Sequence, residues 1–179
     1  MSPERHRLSS DAYADAPKLA VRFVLENIRS GQNVGAFFRT GDAFRIDGID
    51  LCGYTVNPPH RDILKSALGS SEHVPWRGHE SALNAIEVLR SEGFQIAVIE
   101  QTESSIMLND WSPKPGEKWA FVFGNEVRGV EHSTTASANI AIEIPQFGVK
   151  QSLNVSVCAG IVLWDAALKM GMPIADSIG

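Results

Sequence analysis

Two polar segments that follow apolar runs carry side chains able to bind or orient a substrate. The segment Asn27–Phe44 holds Asn33 and Arg39, and the segment Phe121–Val130 holds Glu126. Glycines in the first segment could let backbone N–H groups surround a phosphate. That segment has neither the G-K-S/T ending of a P-loop nor the GxGxxG spacing of a dinucleotide site. Both common nucleotide-binding interpretations therefore fail.

Arg39 has two interpretations. On a helix that turns about 100° per residue, Val34, Phe37 and Phe38 form an apolar stripe, and Arg39 projects away from it. The arginine is then either a solvated helix charge paired with Asp42 or part of a site. Spacing alone favours the solvated charge.

A third polar segment, Ile142–Ser156, holds Ser152 and Asn154. Either residue could cap the helix that follows it or contact a substrate or cofactor. Asn33 likewise could be an N-cap, and Glu126 could favour the N-terminus of a helix through the helix dipole. The residues alone leave these alternatives open.

Apolar runs and helical patterns alternate along the chain and must position these segments. The predicted strands are Leu19–Leu25, Ile49–Leu51, Phe94–Ile99, Trp119–Phe123 and Ile140–Ile144. The predicted helices are Asn33–Phe44, His60–Leu68, Ser81–Ser91 and Asn154–Met170. This alternation is typical of an α/β fold, a parallel sheet with helices on both faces. Ligands of such sheets bind beyond the carboxyl ends of the strands.

The last predicted helix is apolar on nearly all sides, with only Asp165 and Lys169 charged. Such a helix must be buried nearly all round. It is either a central core helix or the interface of a homodimer, and in a chain of 179 residues we favour the homodimer.

Composition excludes several classes of protein. No apolar stretch reaches the roughly 20 residues of a membrane span, and Met1–Asp15 lacks the apolar core of a secretory signal, so we predict a cytoplasmic protein. Cys52 and Cys158 lie far apart and no two histidines have helical metal-ligand spacing, so we predict no metal site.

The net charge of −5 argues against binding nucleic acid through bulk electrostatics, so any RNA must meet a local basic patch. Nine of the 16 basic residues fall in the first 65 positions: Arg5, Arg7, Lys18, Arg22, Arg29, Arg39, Arg45, Arg61 and Lys65. This asymmetry makes them the candidates for that patch.

Together, the three polar segments resemble the three motifs of the TrmH family of SPOUT RNA methyltransferases in order and spacing. The matching stretches are Asn33-Val-Gly-Ala…Arg39-Thr, Phe-Gly124-Asn-Glu126…Gly129 and Ile-Pro145…Gly148…Ser152-Leu-Asn154-Val-Ser-Val. The resemblance divides the chain into an N-terminal extension, residues 1–18, and a methyltransferase domain, residues 19–179. It implies a C-terminal trefoil knot, although folds are unknotted as a rule.

The resemblance also implies S-adenosyl-L-methionine as the cofactor. Its adenine and methionine parts are expected at the backbone around Gly124, Ile144 and Leu153, and Gln101 and Thr102 are expected to close the pocket. Small and apolar residues suit such main-chain contacts, because glycine allows close approach.

By motif position, Arg39 matches the family's catalytic arginine, and four polar residues surround it: Asn33, Glu126, Ser152 and Asn154. The implied reaction moves a methyl group to a ribose 2′-hydroxyl of RNA. A guanidinium with a pKa above about 12 is an inefficient base, so we expect Arg39 to orient the ribose and hold a phosphate. Val127 stands where the family commonly has glycine, which puts the geometry of that loop in doubt.

The resemblance carries an expectation about the substrate. The chain lacks the separate N-terminal RNA-binding domain of many relatives that act on rRNA, and the stretch Glu100-Gln-Thr102 is similar to enzymes that methylate the D-loop guanosine of tRNA. We therefore expect tRNA. The alternatives are an rRNA 2′-O-methyltransferase and a catalytically silent knotted module that binds RNA.

Overall fold

A computed structural model describes residues 10–149 and 152–171. Its strands form one seven-stranded, entirely parallel sheet in the order β3-β2-β1-β6-β4-β7-β5. The strands are Leu19–Glu26 (β1), Ile46–Cys52 (β2), Trp76–His79 (β3), Phe94–Ile99 (β4), Ile106–Met107 (β5), Lys118–Phe123 (β6) and Ile140–Glu143 (β7). The helices are Ser10–Asp15 (α1), Gly31–Ala43 (α2), Arg61–Ala67 (α3), Ala82–Ser91 (α4), His132–Ser137 (α5) and Val155–Met170 (α6).

The predicted α/β class is confirmed, and every predicted strand and helix is present. The sequence patterns missed β3, β5, α1 and α5. Strand β3 reads Trp-Arg-Gly-His and has no apolar run, and β5 has only two residues, so neither gives a periodic signal. Both short strands form on the template of a longer neighbour, β2 and β7 respectively.

The helices lie on both faces of the sheet, because neighbouring strand residues point to opposite sides. On one face Phe23 of β1, Phe37 of α2 and Phe123 of β6 meet edge to face, with ring centroids 5.1 to 5.4 Å apart. Helices α3 and α6 share this core, and α4 packs on the other face. The phenylalanine cluster packs the middle of α2 against the middle of β1 and the end of β6.

A buried cluster of charges ties β1, β2 and β3 together. The fully buried carboxylate of Asp50 accepts hydrogen bonds from Arg22 Nε at 2.7 Å and Arg77 Nε at 2.9 Å. His79 Nε2 lies 2.8 Å from the same carboxylate, and Arg22 also pairs with Asp47 at 2.8 Å. These contacts hold the short edge strand in register.

Several sequence predictions fall on residues outside the described ranges. They concern Arg5 and Arg7 of the proposed basic patch and the outer ends of the two predicted domains. The trefoil knot stays a prediction, as does the domain division. Among the described residues, none of the helices combines the length and the apolar character that a membrane span needs.

Removal of the Asp50 carboxylate tests the buried cluster. Asp50→Ala leaves the buried Arg22 guanidinium without its inner partner, so we expect a loss of about 3 to 5 kcal/mol in the free energy of unfolding. Urea titration measures it. Asp47→Ala removes only the half-exposed partner and should cost less than about 1 kcal/mol. Equal costs for the two variants would contradict this account.

Candidate active site

A cleft of about 620 Å³ opens at the carboxyl ends of β4, β6 and β7. Its lining includes the predicted residues Gln101, Gly124, Glu126, Ile144, Ser152, Leu153 and Asn154. Three other predicted residues, Asn33, Arg39 and Thr102, do not line it. The parallel sheet therefore brings two of the three polar segments to one wall, and the first segment reaches them through hydrogen bonds.

The loop after β6 is a closed turn whose shape depends on Asn125. Asn125 and Gly129 exchange two backbone hydrogen bonds, and Asn125 Oδ1 accepts from the backbone N–H of Val127 and of Arg128, both at 3.0 Å. Its amide also donates to the carbonyl of Asn27 at 2.8 Å. Sequence reasoning gave Asn125 no role, although an asparagine beside a glycine in a turn is a known signal.

Gly124 is required by this turn. A Cβ there would overlap the backbone of Gly129 and Val130, so the close approach that the glycine allows is to the protein's own chain. This differs from the expected approach to a cofactor. A bulky residue at Gly124 would break the loop itself.

Glu126, Asn33 and Asn154 form a hydrogen-bonded chain that joins the three segments. Asn33 Nδ2 donates to Glu126 Oε1 at 3.1 Å, and Asn154 Nδ2 donates to Asn33 Oδ1 at 3.2 Å. The same carboxylate accepts from the backbone N–H groups of Arg29 at 3.4 Å and Ser30 at 3.3 Å. Loops that follow β1, β6 and β7 are thus locked along one rim.

These bonds decide between the alternatives that the sequence left open. Ser30 caps α2, since its hydroxyl accepts from the backbone N–H of Asn33, so Asn33 is not the cap. Asn154 does cap α6 through the N–H groups of Ser156 and Val157. It also donates to Asn33, and its contact with a substrate or cofactor stays a prediction. Ser152 is exposed on the cleft wall.

Arg39 lies on α2 with an exposed side chain and does not line the cleft. In the described parts of the chain, the Arg39 side chain forms no hydrogen bond or ion pair with another residue, and this includes Asp42. The interpretation of Arg39 as a helix charge paired with Asp42 therefore finds no support in the geometry. Its guanidinium stands free at the surface.

The electrostatics of the rim favour an ionised Glu126. Partial burial raises the pKa of Glu126, but the hydrogen bonds from its own backbone, from Asn33 and from the backbone of Arg29 and Ser30 outweigh burial and hold the pKa below its usual value. In the wall of the cleft, burial and, to a smaller extent, the charge of Glu100 raise the pKa of the Cys158 thiol to about 12. Cys158 is thus a neutral part of the wall.

The cleft suits a ligand with apolar and polar parts. Ile99, Phe123, Ile142 and Val155 give it apolar walls, and Thr102 beside it holds a buried hydroxyl without a hydrogen-bond partner among the described residues. Glu100 fixes the wall by accepting from the backbone N–H of Gln101 and Val130. Within the described ranges, no three metal-ligating side chains come together.

Comparison with known proteins places this site in a family. The SpoU rRNA Methylase family matches residues 20–164. The chain belongs to this family. The predicted family is thereby confirmed, and the names of the family and of its members are those of RNA methyltransferases.

Two relatives are named tRNA (guanosine(18)-2′-O)-methyltransferase. The Borreliella burgdorferi protein is 30% identical over 152 residues, 83% of this chain and 66% of its own length. The Thermus thermophilus protein is 32% identical over 174 residues, 94% of this chain and 85% of its own length. The chain thus spans just under two thirds of the length of the Borreliella burgdorferi protein.

Solved structures share the fold. A rRNA methyltransferase from Sinorhizobium meliloti with bound AdoMet has a TM-score of 0.78 and 26% identity, covering 90% of this chain and 61% of that chain. The A. aeolicus TrmH/SpoU tRNA modifying enzyme has a TM-score of 0.77 and 24% identity, covering 88% and 78%. At 24% identity, the similarity to the A. aeolicus enzyme supports the fold alone.

The charge of Glu126 should appear in the pH dependence of stability. Its folded-state pKa lies below the ordinary value of 4.5, so its contribution is fully present above that value and is lost as the pH falls through the folded pKa. Glu126→Gln removes the charge and keeps an acceptor. We expect the variant to melt lower than the wild type at pH 7, with a Tm gap that narrows as the pH falls below 4.5. A gap that persists unchanged to pH 3 would contradict a role for the charge.

Proposed function

We propose that this chain transfers the methyl group of S-adenosylmethionine to a ribose 2′-hydroxyl of RNA. One observation carries the proposal: the chain of hydrogen bonds from Glu126 through Asn33 to Asn154 sets the polar residues of three family motifs on the rim of one cleft. Family membership supplies the reaction class. The AdoMet bound by the Sinorhizobium meliloti structure supports the choice of cofactor.

The residues of the cleft fit the cofactor. Gly124, Ile144 and Leu153 would hold it by main-chain contact, Gln101 would close the pocket, and the unpartnered Thr102 hydroxyl beside Gln101 would accept or donate one more hydrogen bond. When bound, S-adenosylmethionine supplies a sulfonium methyl group that is open to attack by an oxygen nucleophile. Attack by the ribose oxygen would form a carbon–oxygen bond as the carbon–sulfur bond breaks, the sulfur would keep the electron pair as S-adenosylhomocysteine, and the hydroxyl proton would pass to solvent water.

The rim residues orient the hydroxyl rather than take part in bond formation. Asn33 and Asn154 are neutral amides fixed by one another, and the Glu126 carboxylate holds the loops through four backbone and side-chain contacts. Ser152 on the cleft wall is the free hydroxyl nearest in sequence to these amides. Holding the reacting groups in position before the reaction supplies much of the rate of a transfer between bound groups.

Arg39 acts by binding a phosphate of the RNA. Its guanidinium is exposed and unpaired within the described residues, which leaves its planar donors available for bidentate contact with phosphate oxygens. This contact positions the RNA without reading its sequence. We assign the arginine to positioning and not to proton transfer, because a guanidinium keeps its protons at neutral pH and is therefore an inefficient base.

The expected substrate is tRNA, with a D-loop guanosine as the first target to test, and the names of two relatives support it. The rRNA alternative is favoured by the name of the family and of the Sinorhizobium meliloti structure. Either substrate would place the protein in the cytoplasm. The chain would act there without a bound metal.

We further propose that two copies pair through the outer face of α6. Val157, Ile161, Trp164 and Leu168 follow one another at helical spacing and are each 39 to 61% exposed. Trp164 also meets Phe44 edge to face, with ring centroids 6.2 Å apart, so the stripe extends beside α2. The inner face of α6 lies in the core, so the core interpretation holds for that face, and we propose the homodimer interpretation for the outer face alone.

The trefoil knot belongs to the same proposal. Helix α6 returns from β7 to the core shared by β1, β6 and α2, and its cap is bonded to Asn33 of α2. A chain threaded beneath the loop after β6 would follow this path. Such threading would bring the loops after β4, β6 and β7 around one cofactor.

The reaction is tested with tritiated S-adenosylmethionine and unmodified transcripts of tRNA and rRNA. We expect label in RNA, and alkaline hydrolysis should leave the labelled linkage intact, because cleavage requires a free 2′-hydroxyl. Calorimetry with S-adenosylhomocysteine measures binding to the cleft separately. Binding without transfer to any RNA would favour the silent module, and no binding would reject the cofactor assignment.

Arg39 is tested in the same assay under single-turnover conditions. We expect Arg39→Ala to slow transfer by about 100-fold or more, and Arg39→Lys to be nearly as slow, because lysine lacks the planar multi-donor geometry. Folding stability should change by less than about 0.5 kcal/mol. Arg90→Ala, which removes an exposed arginine from α4 on the opposite face, is the matched control. Transfer by Arg39→Ala at the wild-type rate would show the assignment to be wrong.

The α6 face is tested by light scattering at micromolar concentration. We expect the wild type to have the mass of a dimer and Ile161→Lys that of a monomer, because an ammonium group cannot be buried unpaired in an apolar contact. Leu64→Lys introduces the same charge at an exposed leucine of α3 and should leave the dimer intact. A monomeric wild type would exclude the pairing.

A further inference from the structure

Tyr54 presents a fixed aromatic surface next to the site. It lies in the turn after β2 with its ring half exposed. Its backbone N–H donates to Asn27 Oδ1 at 3.2 Å, and its hydroxyl accepts from Asn125 Nδ2 at 3.4 Å. Gly53 precedes it with φ +64°, and a Cβ there would overlap the Asn27 side chain. Neighbouring residues therefore hold both the backbone and the hydroxyl of Tyr54.

Arg29 completes this surface with a positive charge. Its guanidinium carbon lies 5.6 Å from the centroid of the Tyr54 ring, and its side chain is exposed. Within the described ranges, no carboxylate pairs with the guanidinium. Its backbone N–H donates to Glu126, so this arginine sits directly on the rim of the cleft.

Neither residue is explained by the fold. Burial of a tyrosine ring is favourable, and an exposed ring with a bonded hydroxyl gains little stability from its position. The same holds for an arginine that stacks at the surface without an anionic partner. Both side chains instead have the properties that bind unpaired nucleotides, which stack their bases on aromatic rings and guanidinium planes and place their phosphates beside cations.

We propose that Tyr54 and Arg29 form a platform that binds an unpaired nucleotide of the RNA next to the one that enters the cleft. The inference rests on the proposed function only for the choice of RNA as the ligand. The link to the cleft is direct, since Asn125 joins the Tyr54 hydroxyl to the loop that carries Glu126. The platform thus positions the strand that the rim residues must orient.

Charges around the ring orient that nucleotide. A second hollow of about 240 Å³ borders Tyr54, and its lining includes two further acidic residues near the surface, Glu80 and Glu131. Carboxylates repel a phosphate and accept hydrogen bonds from N–H groups of a base. The phosphate therefore lies on the Arg29 side, and the edge of the base faces the hollow.

The test measures RNA affinity apart from methyl transfer. The probes are a fluorescein-labelled, unstructured 20-nucleotide RNA of mixed sequence and an abasic strand of the same length, read by fluorescence anisotropy. We expect Tyr54→Ala to raise the Kd for the mixed RNA about 10-fold and to leave the abasic strand unchanged. Arg29→Ala should weaken both probes, because it removes a phosphate contact.

Two controls separate stacking from structure. Tyr54→Phe keeps the ring and loses the bond to Asn125, so it should bind within about twofold of the wild type. Lys114→Ala removes an exposed cation from the loop that enters the amino end of the central strand β6, at the opposite end of that strand from the cleft, and should also bind normally. Melting temperatures and affinity for S-adenosylhomocysteine should be equal in all variants.

The outcomes distinguish this proposal from the proposed function. Wild-type affinity in Tyr54→Ala, or an equal loss in Tyr54→Phe and Tyr54→Ala, overturns the platform even if methyl transfer is observed. A wild type that binds the mixed RNA through Tyr54 but transfers no methyl group supports the platform and rejects the proposed reaction.

Discussion

The site depends on one amide, the side chain of Asn33, which bridges two residues that are 93 and 121 positions away in the chain. An amide has a donor at one end and an acceptor at the other, so it can satisfy a carboxylate and a second amide at once. Aspartate, which has a similar size, could accept from Asn154 but could not donate to an ionised Glu126. Parallel strands make the bridge possible, because their carboxyl ends meet at one edge of the sheet and place distant loops side by side.

Deeper groups hold the bridge in place. Glu26 lies buried at the end of β1, and burial raises its pKa, although Thr134 and the backbone of Glu131 donate hydrogen bonds that oppose the rise. Side-chain oxygens of Glu100 and Asn125 likewise accept hydrogen bonds from backbone N–H groups of the loop after β6. A carboxylate or amide buried at a strand end can satisfy several turn donors at once, which makes an irregular loop rigid.

The cleft and the protein surface beside it differ in how many of their polar groups are paired within the protein. In the cleft, apolar residues form much of the wall, and the loop after β6 is closed by hydrogen bonds within the chain. On the outer side, the guanidinium groups of Arg29 and Arg39 have no anionic partner in the described residues. A protein with a net charge of −5 that keeps cations unpaired beside a cleft has a local surface for a polyanion and little attraction for it elsewhere.

The sequence by itself determined the α/β class, the order of the long strands and helices, and the family, because apolar periodicity and three spaced motifs are local features of the chain. It also determined which residue types stand at the cleft. It could not decide whether Asn33 or Ser30 caps α2, or that Asn154 both caps α6 and holds Asn33, since these bonds depend on distances between loops. Gly124 shows the same limit: the motif marks the glycine, but only the fold shows that the backbone of Gly129 fills the space beside it. Short edge strands such as β3 and β5 were decided by tertiary structure alone, because a neighbour's free hydrogen-bonding edge supplies the template that two to four residues cannot encode.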